Sequence, residues 1–86
     1  MASYSLEIKR SAAKELAALP KQDRVRIITR IQALAHEPRP AGCEKLSGQE
    51  RYRVRQGDYR IVYTVDDQNR IVLVTKIRHR REVYRS

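Results

Sequence analysis

The apolar residues of this chain pass from helical to strand spacing at one hexapeptide. Before Glu37-Pro38-Arg39-Pro40-Ala41-Gly42 they recur mainly at helical intervals, and after it they alternate with polar residues as in strands. Neither proline continues a helix and Gly42 frees the backbone, so this hexapeptide closes a helical half and opens a β half. It is too short to separate two domains, and the 86 residues read as a single domain, 1–86. Upstream, Tyr4, Leu6 and Ile8 alternate with Ser3, Ser5, Glu7 and Lys9, which predicts a short strand with one buried face. Ser11 is placed to cap a first helix, with Glu15 in the following turn and Ala12, Leu16 and Leu19 on one stripe until Pro20 interrupts. Asp23 can cap a second helix or favour its start. There Ile27, Ile28, Ile31, Leu34 and Ala35 form the apolar stripe, while Arg24, Arg30 and Gln32 face away.

Downstream, Tyr52 and Val54 alternate with Arg51, Arg53 and Arg55, and Gln56-Gly57-Asp58 makes a tight turn. Tyr59, Ile61, Tyr63 and Val65 then alternate with Arg60, Val62 and Thr64. After the turn Asp66-Asp67-Gln68-Asn69 the run from Arg70 to Ile77 is apolar on both faces, which predicts a central strand buried above and below. The expected class is α+β in the order β-α-α-β-β-β, an N-terminal helical hairpin packed on one face of a small, mostly antiparallel sheet. A chain of this length buries a modest core without staples.

Nineteen Lys and Arg against ten Asp and Glu give a net charge of +9, so the chain is drawn to polyanions. Nucleic acid, an anionic membrane surface and an acidic protein all satisfy that field, and only the placement of the charges separates them. The lone Cys43 makes no internal disulfide and lies in an expected loop. No apolar run reaches the roughly 18 residues of a membrane span, and the N-terminus lacks the apolar core of a signal peptide, so the expected address is the cytoplasm, with no membrane partner. His36 and His79 have no Cys pair or carboxylate cluster beside them, the glycines form no phosphate-binding fingerprint, and no serine sits in a nucleophile elbow. No metal and no cofactor is expected.

The arginines carry the chemistry. Arg53 and Arg55 are two apart on a strand and share a face, about 7 Å from one another along it. Arg60 follows the hairpin turn and can lie near them across the ladder. His79, Arg80 and Arg81 emerge together after the last strand, with Tyr84 just beyond. Such a surface suits phosphate, since the planar guanidinium donates bidentately to its oxygens and keeps its charge, which also makes it a poor base. Metal-free RNA cleavage needs a base for the 2′-OH proton, an acid for the 5′-oxygen and cations for the pentacoordinate phosphate. Arg51 and Arg70, at strand starts, read as solvated charges, and Tyr59 and Tyr63 as core.

Leu46-Ser47-Gly48, Tyr52-Arg53-Val54-Arg55, Gly57-Asp58-Tyr59-Arg60-Ile61-Val62-Tyr63, Ile77-Arg78-His79-Arg80 and Glu82-Val83-Tyr84 together resemble the RelE branch of the RelE/ParE toxin superfamily. The resemblance covers nearly the whole chain. It implies a RelE-like fold and a type II toxin that enters the A site of the 70S ribosome, against its ribosomal RNA, and cleaves the mRNA there. It also implies a cognate antitoxin protein that holds the toxin inactive, the free toxin being monomeric. Relatives present two lysines in a Tyr-Lys-x-Lys pattern where this chain has Arg53 and Arg55, so the charge is kept and the ability to give up a proton is lost. By resemblance Arg60 stabilises the transition state and Arg80 serves the leaving group, although the spacing from Arg80 to the terminal tyrosine is shorter here and Arg81 is a rival. Tyr84 matches a C-terminal tyrosine that stacks on a base or acts as general base. A tyrosine ordinarily titrates near pH 10, and the flanking Arg80, Arg81 and Arg85 favour its phenolate. His79 is the second candidate for proton transfer. Two other readings stay open: a ParE-like poison of DNA gyrase that cleaves no RNA, and a non-catalytic nucleic-acid-binding relative.

Overall fold

Five strands and two helices make up the described residues, 3–46 and 51–79, of the computed structural model. In chain order they are β1 (Ser5–Ile8), α1 (Arg10–Ala17), α2 (Lys21–Leu34), β2 (Glu44–Leu46), β3 (Arg51–Gln56), β4 (Tyr59–Asp66) and β5 (Ile71–His79). The sheet order is β1-β5-β4-β3-β2; β1 runs parallel to β5 and the other pairs are antiparallel. The helices cover one face, and the class is the expected α+β. β2 was not expected: its three residues carry no apolar alternation, and it exists because Glu44, Lys45 and Leu46 pair with Arg53, Tyr52 and Arg51 along the edge of β3.

The core lies between helices and sheet. Ala12 and Leu16 of α1 and Ile27, Ile31 and Leu34 of α2 are buried against Tyr52, Val54, Ile61, Tyr63, Val65, Val72, Val74 and Ile77. Each buried aliphatic side chain contributes about 1.5–3 kcal/mol. Ile28 leaves the expected stripe and is 37% exposed, because it lies about 100° around the helix from Ile27 while Ile27, Ile31 and Leu34 keep the spacing of one face. Helix α1 also starts earlier than Ser11 suggests. β1 ends at Ile8 and the single residue Lys9 turns the chain, its N–H held by the Val74 carbonyl at 2.9 Å, so Lys9 is the N-cap and makes no side-chain cap bond.

The hexapeptide after α2 is tied down at Pro38 and Arg39. Tyr63, stacked on Tyr52 with ring centroids 5.8 Å apart, donates its buried hydroxyl to the Pro38 carbonyl at 2.7 Å. Arg39 donates to the Tyr52 hydroxyl at 2.8 Å, lies over that ring and pairs with Asp67 at 2.8 Å. Tyr4 donates to the same carboxylate at 2.6 Å.

β5 departs from the expectation in one respect. It is an interior strand, but only Val72, Val74 and Ile77 are buried, while Ile71, Leu73 and Thr75 are half-buried on the face away from the helices. A bulge explains the change of phase from even to odd residues. Tyr63 pairs with Val74 and Val62 with Lys76, which leaves Thr75 as the extra residue, its hydroxyl donating to the Val62 carbonyl at 3.2 Å. Part of the apparent two-faced hydrophobicity is therefore one face read across a phase change.

Candidate nucleic-acid interface

The hairpin β3–β4 positions the first arginines. Gly57 stands at the first turn position with φ of 60° and Asp58 does not share that region, the pattern of a type II′ turn. The resulting register sets Arg55 opposite Arg60, Arg53 opposite Val62 and Arg51 opposite Thr64. Since Tyr52, Val54 and Ile61 face the helices, these residues project from the other face, which is open among the described residues. On the far side of β4, Arg60 faces Arg78 and Val62 faces Lys76. Arg55, Arg60 and Arg78 thus form one row across three strands, with Glu44, Arg53, Val62 and Lys76 in the next. As the middle member, Arg60 is only 8% exposed.

Arg53 donates to Glu44 at 2.9 Å. That hydrogen bond, reinforced by the guanidinium charge, holds the Glu44 carboxyl below the ordinary carboxylate range. The Nε of Arg53 is buried and has no acceptor among the described residues. Arg78 donates to Glu15 of α1 at 2.7 Å. Lys76 and Arg78 were missed as members of this face, because strict alternation from Val72 and Val74 would turn Arg78 into the core. The signal was present in the polar Lys76 and Arg78 flanking the apolar Ile77.

The structure brings Arg53, Arg55 and Arg60 together as the spacing suggested. It does not bring His79 to them. His79 is the register partner of Tyr59, one residue from the Arg60–Arg78 pair and so on the helix face. Its ring meets Tyr59 edge-on at 5.1 Å, and the Tyr59 hydroxyl donates to Asp23 at 3.0 Å. These residues line a polar pocket of about 180 Å³ with Arg26 and Gln56. Arg80, Arg81 and Tyr84 lie outside the described residues. Among the described residues there is no cluster of His, Cys, Asp and Glu that could hold a metal, and no helix is long and apolar enough to cross a membrane.

Fold and face define a small basic α+β protein that sets arginines from three strands on the sheet face away from its helices. The family described as the ParE toxin of type II toxin-antitoxin systems matches residues 6–84. A chain of Methanocaldococcus jannaschii named as toxin RelE1 is 30% identical, over 96% of this chain and 97% of that one. Toxin RelG of Mycobacterium tuberculosis is 27% identical, over 95% and 97%. Among solved structures, the archaeal RelE–RelB complex from Pyrococcus horikoshii superposes with a TM-score of 0.83 at 31% identity, covering 91% of this chain and 96% of that one. The chain belongs to the RelE/ParE superfamily of type II toxins, on the RelE side.

Proposed function

We propose that this toxin is a ribosome-dependent endoribonuclease that cleaves mRNA in the ribosomal A site and so inhibits translation in the cytoplasm. The observation that carries the reading is the row Arg55, Arg60 and Arg78 on the sheet face away from the helices, with Arg53 beside it. Guanidinium groups arrayed this way fit a phosphodiester whose transition state gathers negative charge. The 2′-oxygen attacks the adjacent phosphorus and its proton passes to a base; the bond to the 5′-oxygen breaks and that oxygen receives a proton. The products are a cyclic phosphate and a 5′-hydroxyl. Arg60 is assigned to the transition-state charge, Arg53, Arg55 and Arg81 to the phosphates, and Arg80 to the leaving group. Tyr84 is favoured as the base over His79, which the fold turns toward Tyr59 and Asp23.

A cognate antitoxin is the second partner. The similar Pyrococcus horikoshii chain was solved as a RelE–RelB complex. A domain of charge +9 also binds RNA through its field, so storage in an inactive form calls for a protein that covers the face.

The test is to incubate the protein with mRNA, with and without translating ribosomes, and map new RNA ends, running Tyr84→Phe and Arg80→Ala alongside. Cuts that require ribosomes and fade in both variants are expected. Intact RNA from a protein that still arrests growth would favour the gyrase reading that the ParE family match keeps in view.

A further inference from the structure

We propose that the pocket between α2 and the tip of the β3–β4 hairpin receives a base of the RNA, guanine in preference to the other three, with Asp23 and Arg26 reading its edges. The inference rests on the proposed RNA substrate and gives it a sequence preference.

The pocket lies one residue beyond the arginine row. Gln56, Tyr59 and His79 form the next row along the same three strands, after Arg55, Arg60 and Arg78. One residue advances a strand by about 3.3 Å and turns the side chain to the opposite face. At the hairpin tip the two faces meet. Gly57 stands there without a side chain, and among the described residues no atom lies within 4 Å of where its Cβ would be. A strand of RNA whose phosphate lies against Arg55 and Arg60 can therefore turn the neighbouring base over Gly57 into the pocket.

The lining disfavours phosphate and suits a base. Two carboxylates, Asp23 and Asp58, stand against one guanidinium, Arg26, an acidic spot in a chain of charge +9. The volume of about 180 Å³ is the liquid share of about six waters, room for one planar base without its sugar and phosphate. Asp23 and Arg26 are three apart on α2 and so are neighbours on the helix surface. They do not pair. Arg26 has no hydrogen-bond or ion-pair partner among the described residues, and Asp23 Oδ2 accepts from the Tyr59 hydroxyl at 3.0 Å. That bond uses one of about four acceptor sites of the carboxylate and orients the others. An acceptor and a donor fork left side by side match guanine, whose N1–H and amino group donate to a carboxylate while O6 and N7 accept from an arginine. Adenine and cytosine lack the ring N–H on that edge, and uracil lacks the amino group. Tyr59 and His79, edge to face with centroids 5.1 Å apart, supply an aromatic wall for an unstacked base.

The experiment measures, by anisotropy, the binding of fluorescein-labelled heptauridine and of its three variants with a central G, A or C to the purified full chain. The G-containing strand should bind about five- to tenfold tighter than the other three, the low end of what one bidentate base contact discriminates. Asp23→Asn, whose amide oxygen can still accept from Tyr59, should bring that ratio close to one, and Arg26→Gln should lower it about threefold. Lys14→Gln of α1 removes the same charge as Arg26→Gln outside the pocket, so it should weaken all four strands alike and keep the ratio. A preference that comes from a base and not from phosphate should also persist at high salt. In an isotope-labelled sample guanosine 5′-monophosphate should shift the amide signals of Gly57, Asp58 and Tyr59, and uridine 5′-monophosphate should not. Equal binding of the four strands, a preference that survives Asp23→Asn, or guanosine shifts confined to the arginine positions of the strands would overturn the pocket. Ribosome-dependent cleavage measured in parallel separates this from the enzymatic reading. A wild type that cuts nothing while the G preference holds defeats that reading alone, and cutting by a protein that binds the four strands equally defeats the pocket alone.

Discussion

Arg55 and Arg60 stand directly opposite one another across the β3–β4 ladder, two like charges in register, with Arg60 almost buried between its neighbours. Like charges set directly opposite one another destabilise a sheet, and Glu44, whose carboxyl feels both guanidinium groups, offsets part of that cost. Arg55→Thr should therefore leave the urea midpoint unchanged or slightly raised while lowering the rate of RNA cleavage. A variant that loses stability would show that the pair is not repulsive in the free protein.

Ile27 and Ile28 are adjacent in sequence and opposite in consequence. Ile27 is fully buried and Ile28 is 37% exposed. Ile27→Ala should cost about 2–5 kcal/mol in urea unfolding through the cavity it leaves. Ile28→Ala should cost less, since that side chain already lies partly in solvent and its removal leaves no closed cavity.

The Tyr63 hydroxyl donates to the Pro38 carbonyl at 2.7 Å and fastens the segment after α2 to the sheet. Tyr63→Phe removes the donor and keeps the ring, so an expected loss of about 1–3 kcal/mol reports the carbonyl left without its partner. Burial pushes this hydroxyl well above the ordinary tyrosine range. An acid whose pKa is raised on folding stabilises below its unfolded value, near 10, and that stabilisation is lost as pH climbs through the folded value. The unfolding midpoint of the wild type should accordingly fall above about pH 10, and that part of the fall should be absent in Tyr63→Phe.

Asp67 answers on the acid side. Hydrogen bonds from Arg39 and then Tyr4 hold its carboxyl below the ordinary range. A depressed carboxylate stabilises the fold above its unfolded value, near 4, and the contribution disappears as pH falls through the folded one. Between about pH 5 and pH 2 the wild type should lose stability more steeply than Asp67→Asn, read from denaturant midpoints at each pH. Parallel curves would remove Asp67 from the acid response.

Much of this architecture was legible because period and breakers agree: Pro20 and the Pro38–Gly42 stretch end the helices, and the alternation of Tyr52 to Val54 and Tyr59 to Val65 marks a hairpin about Gly57. What escaped depends on tertiary pairing. β2 is made by its neighbour, as Glu44-Lys45-Leu46 has no strand pattern of its own. The helix α1 start at Arg10 follows from Lys9 being bonded to Val74, a contact far along the chain. Arg53, Arg55 and Arg60 could be placed on one face by counting. Arg78 could not, because one extra residue in β5 inverts every side chain after it. The same inversion sets His79 on the helix face beside Tyr59 instead of among the arginines.

We propose that the arginine row stabilises charge on a phosphodiester being cut. The most direct test is the single-turnover rate of mRNA cleavage on programmed ribosomes by wild type and Arg60→Ala, each at saturating protein, with the new ends identified chemically. A cyclic phosphate and a 5′-hydroxyl are expected from the wild type, with a rate about 10²- to 10³-fold lower for Arg60→Ala. Equal rates for the two proteins would contradict it.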